Sequence, residues 1–119
     1  TVIRCILDTD MTLHAKCCQK VLNHDRQSWV EIESSDERQN RLSIMIHSAD
    51  LSGQILPFHI ASQWEERIST EFASQAAEEQ AAGRSPPVFM RFSMDDLRQR
   101  GKLQRDFIDF VLLPLWDPY

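Results

Sequence analysis

Ile60, Trp64, Ile68, Phe72 and Ala76 recur at every fourth position. Side chains four apart share one face of an α-helix. The row therefore requires a long helix with a continuous apolar stripe, which must be covered by other elements. Pro57 suits the first turn, where a missing N–H costs nothing. Gly83 suits the residue just beyond the end. The expected helix covers about residues 57–82. Only three glycines occur in 119 residues, which favours helices over a loop-rich chain. An all-α fold of at most one domain is expected.

Three more helices are expected. The first covers about residues 2–23, with Ile3, Ile6 and Leu7 continuing through Met11 to Val21 at roughly helical spacing. The second covers about residues 35–51. Ser34 and Ser35 offer N-caps with acids following, and Leu42, Met45, Ile46 and Ala49 form one face. Gly53 is its expected stop. The fourth starts near Ser93, where Ser93 and Asp96 imitate a capping box, and runs through Leu103, Phe107, Ile108 and Val111 until Pro114. Arg84-Ser85-Pro86-Pro87 interrupts any helix. The polar stretch 24–35, with Trp29, is expected to be a surface connection.

Lys plus Arg number 13 and Asp plus Glu 18, a net charge of −5. That argues against a chain-wide electrostatic footprint for nucleic acid. No apolar run reaches the roughly 18 residues of a membrane span. Cys5, Cys17 and Cys18 are odd in number, two of them adjacent, which suits reduced thiols better than a disulfide framework. The chain opens at Thr1 inside an apolar run and closes just after another. Both ends are expected to be cut from something longer.

His47-Ser48-Ala49-Asp50-Leu51-Ser52-Gly53 falls at the end of the second helix. A carboxylate there opposes the helix dipole, and a cation would offset it. A solvated helix-end Asp satisfies the same position. Gln104, Phe107 and Val111, at i, i+3 and i+7, share a face of the fourth helix. A glutamine amide both donates and accepts, which suits a purine edge. A glutamine at the core boundary would fit as well.

These segments resemble the class I 3',5'-cyclic nucleotide phosphodiesterases. His47 to Ser52 is similar to that family's H-x-A-D-L-S. Gln104-Arg105-Asp106-Phe107-Ile108-Asp109-Phe110, then Pro114-Leu115-Trp116, resembles its Q-x-x-F-I-D followed by P-L-W. Gln63-Trp64-Glu65-Glu66-Arg67-Ile68 resembles Q-W-T-x-R-I. Thr9-Asp10-Met11 resembles A-T-D-M, and Ser85-Pro86 is a fifth match. The matches run in the family's order over nearly the whole chain.

The resemblance implies a compact all-helical catalytic domain of the HD superfamily, of which residues 1–119 form the C-terminal part. It implies hydrolysis of cAMP, cGMP or both to nucleoside 5'-monophosphates by the complete protein, with this stretch alone inactive. The family site holds two divalent metals, a zinc and a magnesium or manganese. Of the two His and two Asp that bind the zinc, only the last maps here, onto Asp50. The rest come from H-N-x-x-H and H-D motifs expected before Thr1, as does the general-acid histidine. The resemblance implies that such a metal pair, when bound, would supply a water activated near neutral pH for attack on the cyclic phosphate. Gln104 maps onto the glutamine that hydrogen-bonds the purine, Phe107 onto the stacking aromatic, and Ile68 onto the opposite wall. Phe72 and Met11 are implied to line the pocket. His47 is implied to orient the site by a hydrogen bond, not to bind metal. A cytoplasmic protein is implied, with regulatory domains, a dimer partner or a membrane association lying in other regions.

Several positions depart from the family. Gly53 stands where Asn is usual, which leaves nucleotide preference open. Asp8 replaces the Ala before T-D-M. Ala73-Ser74-Gln75-Ala76 lacks the family's G-D after the paired phenylalanines. The order His14, His24-Asp25, Asp50 imitates another HD-type metal hydrolase, but its spacings are too short. His59 is expected to be a surface residue. A degenerate phosphodiesterase that binds nucleotide or protein without catalysis is the alternative.

Overall fold

The computed structural model describes residues 1–23 and 34–117, which are helical with no strand among them. The elements are α1 (Val2–Leu7), α2 (His14–Leu22), α3 (Ser35–Asp50), α4 (Phe58–Ala81), α5 (Leu97–Phe107) and α6 (Leu113–Trp116). The all-α expectation holds. The stretch 24–33, with His24, Asp25 and Trp29, lies outside the described residues. The chain forms two compact units. One is Thr1–Ser52 with Phe110–Tyr119; the other is Gly53–Asp109.

In the first unit the single helix expected over residues 2–23 is divided. Asp10 leaves helical backbone geometry (φ −58°, ψ 123°), and its side chain accepts from the Thr12 N–H at 2.9 Å. It thereby caps a 3₁₀ turn, Met11–Leu13, that leads into α2. Local side-chain capping has outcompeted helix continuation. α3 starts with the reciprocal capping box that its sequence offers. The Glu37 N–H donates to Ser34 Oγ, and the Ser34 N–H donates to Glu37 Oε2. α1 packs on α3. Ser43 Oγ donates to Asp8 Oδ2 at 2.5 Å, so Asp8, the departure from the family's Ala, anchors the end of α1. The core joins Cys17, Cys18, Val21, Ile44 and Leu115, with Leu51 against it. Burial pushes both the Cys17 and Cys18 thiols up, which makes them poor nucleophiles.

In the second unit, α4 closes as expected. Gly83 takes φ +72°, a left-handed conformation that suits glycine. The Arg84 N–H then reaches Glu79 O at 2.8 Å and the Gly83 N–H reaches Gln80 O at 3.0 Å. Gly53 is different: it has no positive φ and does not stop α3, which ends at Asp50 with Leu51 as its C-cap. A Cβ at Gly53 would sit 3.3 Å from Trp64 Cγ, so the missing side chain makes room for the indole. Within the α4 stripe, Ala76 is buried and Ile60, Ile68 and Phe72 are half-buried, whereas Trp64 is exposed. Its ring has the Arg67 guanidinium 5.4 Å from the centroid.

The fourth helix starts later than expected. Asp96, not Ser93, is the N-cap of α5, accepting from the Gln99 N–H at 2.9 Å. Ser93 Oγ accepts from Asp95 in the preceding turn. Nor does Pro114 end the helical run. α5 passes through a π-helical turn at Ile108–Leu112 into α6, and Pro114 lies in the first turn of α6. The missing N–H of Pro114 falls just after the π-helical turn, where the regular ladder of hydrogen bonds is already displaced.

Candidate functional site

The residues singled out by the sequence divide between the two units. Met11, His47 and Asp50 belong to Thr1–Ser52. Ile68, Phe72, Gln104 and Phe107 belong to Gly53–Asp109.

Asp50 is the last residue of α3 and is exposed. Among the described residues its carboxylate makes no hydrogen bond or ion pair. It stands at the negative end of the helix dipole, where an acid is least favoured. No three His, Cys, Asp or Glu side chains among the described residues converge into a metal site. Asp50 can therefore supply one oxygen ligand and not a complete site, and the described residues by themselves do not fit a metal pair.

One turn before Asp50, His47 is fully buried. Its Nε2 lies 3.0 Å from Nδ1 of His14, and the rings are 5.3 Å apart at 40°. His14 Nε2 is 3.4 Å from Cys18 Sγ. A hydrogen bond between two ring nitrogens needs one proton between them. The consistent assignment has His47 Nε2–H donating to His14 Nδ1. It leaves His47 Nδ1, which is buried without a partner among the described residues, as a bare lone pair and not an orphan donor. Burial holds both imidazoles below the ordinary 6.5; for His47 the neighbouring His14 lowers it further, and Asp50 partly offsets this. Nothing near His14 in the sequence marks it, apart from the order that imitates another HD-type metal hydrolase. Its pairing spans 33 residues and had no local signal.

This pair fixes a pH dependence. Both histidines bind a proton less readily folded than unfolded. Their contribution to stability is thus present above about pH 6.5 and is lost as the pH falls below it. The melting temperature is expected to decline between pH 7.5 and 5.5, above the range where carboxylates titrate. The decline should be shallower in His47→Gln. A wild-type melting temperature constant over that interval would contradict a buried neutral pair.

On α5, Gln104 is half-buried and its Oε1 is buried without a hydrogen-bond partner among the described residues. Phe107, one turn on, is half-buried. On α4, Ile68 and Phe72 are half-buried, and Phe72 meets Phe89 edge-on with ring centroids 5.6 Å apart. Met11 is 46% exposed and is not among the residues that line a small cleft of the first unit, Arg4, Asp8, Leu13, Lys16, Cys17, Lys20, Ser43 and Ile44. His59 is exposed, as expected. No helix among the described residues is long and apolar enough to cross a membrane.

The sequence profile of the 3'5'-cyclic nucleotide phosphodiesterase family matches residues 1–119. The chain is 31% identical over 116 residues to the 3',5'-cyclic-nucleotide phosphodiesterase regA of Dictyostelium discoideum, covering 98% of this chain and 14% of that protein. It is 34% identical over 122 residues to the high affinity cGMP-specific 3',5'-cyclic phosphodiesterase 9A of Drosophila melanogaster, covering 98% of this chain and 7% of that protein. It is 30% identical over 131 residues to the 3',5'-cyclic-AMP phosphodiesterase 4C of Mus musculus, covering 99% and 18%. The chain thus spans less than a fifth of the length of these three relatives. With the whole chain matched and its motifs carried on an all-helical frame, this protein belongs to the 3'5'-cyclic nucleotide phosphodiesterase family.

Proposed function

We propose that residues 1–119 are the C-terminal part of a phosphodiesterase catalytic domain, and that the full-length protein hydrolyses 3',5'-cyclic nucleotides to nucleoside 5'-monophosphates in cyclic nucleotide signalling. This chain contributes the base-binding elements and one metal ligand. Asp50 supplies that ligand for the divalent metals the family uses, a zinc with a magnesium or manganese. His47, held by His14, keeps the end of α3 in place without binding metal. Gln104 hydrogen-bonds the purine edge, while Phe107 and Ile68 flank its two faces and Phe72 lines the pocket. The protein acts in the cytoplasm, with regulatory or dimer contacts made by other regions.

The observation that most supports this reading is the Gln104 amide. Its Oε1 has no protein partner among the described residues, so a rotation of the amide that brings this oxygen out to a base breaks no existing hydrogen bond at it. The aromatic ring of Phe107, one turn further along the same helix, suits stacking on a purine. The test is cAMP and cGMP hydrolysis by the full-length protein with magnesium, beside Gln104→Ala. KM is expected to rise roughly tenfold or more, with a smaller change in kcat. An unchanged KM would take Gln104 out of the pocket. A folded full-length protein that hydrolyses neither nucleotide would remove the enzymatic reading.

A further inference from the structure

Arg4–Asp8, Lys102–Asp106 and Arg105–Asp109 are i,i+4 pairs, each with at least one well-exposed partner. Arg100–Glu65 is different in kind. It joins α5 to α4 across 35 positions, and both side chains are about 15% exposed. Arg100 Nε donates to Glu65 Oε1 at 3.0 Å and Nη2 donates to Oε2 at 2.5 Å, so the contact is a two-pronged fork. The remaining prong, Nη1, donates to Met94 O at 3.1 Å. Glu65 Oε1 also accepts from the hydroxyl of the buried Ser69 at 2.7 Å. The Arg100 hydrogen bonds are the main reason the Glu65 carboxyl is held below its ordinary value.

A planar guanidinium bonded to both oxygens of a carboxylate fixes rotation as well as separation. Ile68 is three residues after Glu65, and Gln104 is four after Arg100. Each lies one helical turn from the fork, on the same side of its helix. Phe107 follows Gln104 by one more turn. The residues that flank and hydrogen-bond the base in the reading above are thus carried on two helices whose register this fork sets.

We propose that the Arg100–Glu65 fork is the positioning element of the base clamp, holding Ile68 on α4 at the spacing and rotation that Gln104 and Phe107 on α5 require. The inference rests on the phosphodiesterase reading. Neither side chain touches substrate. They act through the three residues that do, for which displacements below an ångström matter.

The test is a double-mutant cycle in the full-length protein, using cAMP and cGMP with magnesium. Arg100→Lys keeps the charge and removes the fork; Glu65→Gln keeps the shape and removes the charge, and serves if the first variant does not fold. Either is expected to raise KM about three- to tenfold with kcat within about twofold, and to raise it by a clearly smaller factor when Gln104 is already alanine, because only the spacing of Ile68 and Phe107 is then left to disturb. A general loss of packing would act equally in both backgrounds. An unchanged KM, an equal rise with and without Gln104, or a fall in kcat alone would overturn the inference. If Gln104→Ala raises KM while both fork variants do not, the inference fails and the phosphodiesterase reading stands. If the folded wild-type protein hydrolyses neither nucleotide, both fail.

Discussion

Replacing Asp50 by alanine in the full-length protein is expected to lower cyclic nucleotide hydrolysis at least about a hundredfold, since even partners one step removed from a metal cost ten- to a hundredfold when lost. The melting temperature should hold or rise slightly. Asp50 is exposed and makes no hydrogen bond or ion pair among the described residues. An acid at a helix C-terminus is disfavoured by about 0.3–1 kcal/mol, so its removal relieves the fold. Function and stability therefore separate at this position. Parallel rate assays and thermal melts read both. Retained hydrolysis would show that the metal site lies elsewhere, and a large fall in melting temperature would make the carboxylate structural.

The largest loss of stability is expected from Leu115→Ala. Leu115 is 0% exposed and is packed with Cys17, Cys18, Val21 and Ile44. Truncating a fully enclosed leucine removes transfer free energy and leaves a cavity, about 2–5 kcal/mol in all. For a domain of this size that corresponds to roughly 10 °C or more in melting temperature. Trp116→Ala should cost less despite the larger side chain, because Trp116 is 36% exposed. Melts of the two variants side by side check the order. A loss below about 1 kcal/mol for Leu115→Ala would mean that α6 does not close this core.

The second prediction shows where reading from sequence reaches its limit. Pro114-Leu115-Trp116 was legible as a motif, yet nothing in its spacing distinguishes the enclosed leucine from the half-open tryptophan. The partners of Leu115 lie about 70 to 100 positions earlier in the chain. Gly53 is a similar case. As a letter it was a helix stop and a lost polar group; in the fold it is the space occupied by Trp64. Asp8 was a departure from the family and proved to be the acceptor for Ser43.

What the sequence determined by itself is what acts within about one helical turn. The Ser34–Glu37 capping box placed the start of α3, and the four-residue stripe between Pro57 and Gly83 placed α4. The ordered motifs identified the family. Signals at that range compete, and the tertiary structure decided among them: Asp10 capped a new turn where a continuous helix was expected, and Asp96 prevailed over Ser93 at the start of α5. Tertiary structure alone decided the His14–His47 pair, the burial of Leu115 and the Arg100–Glu65 fork. Each joins residues more than thirty positions apart. Their free energy appears only once helices are packed and water is excluded, so no local pattern records it.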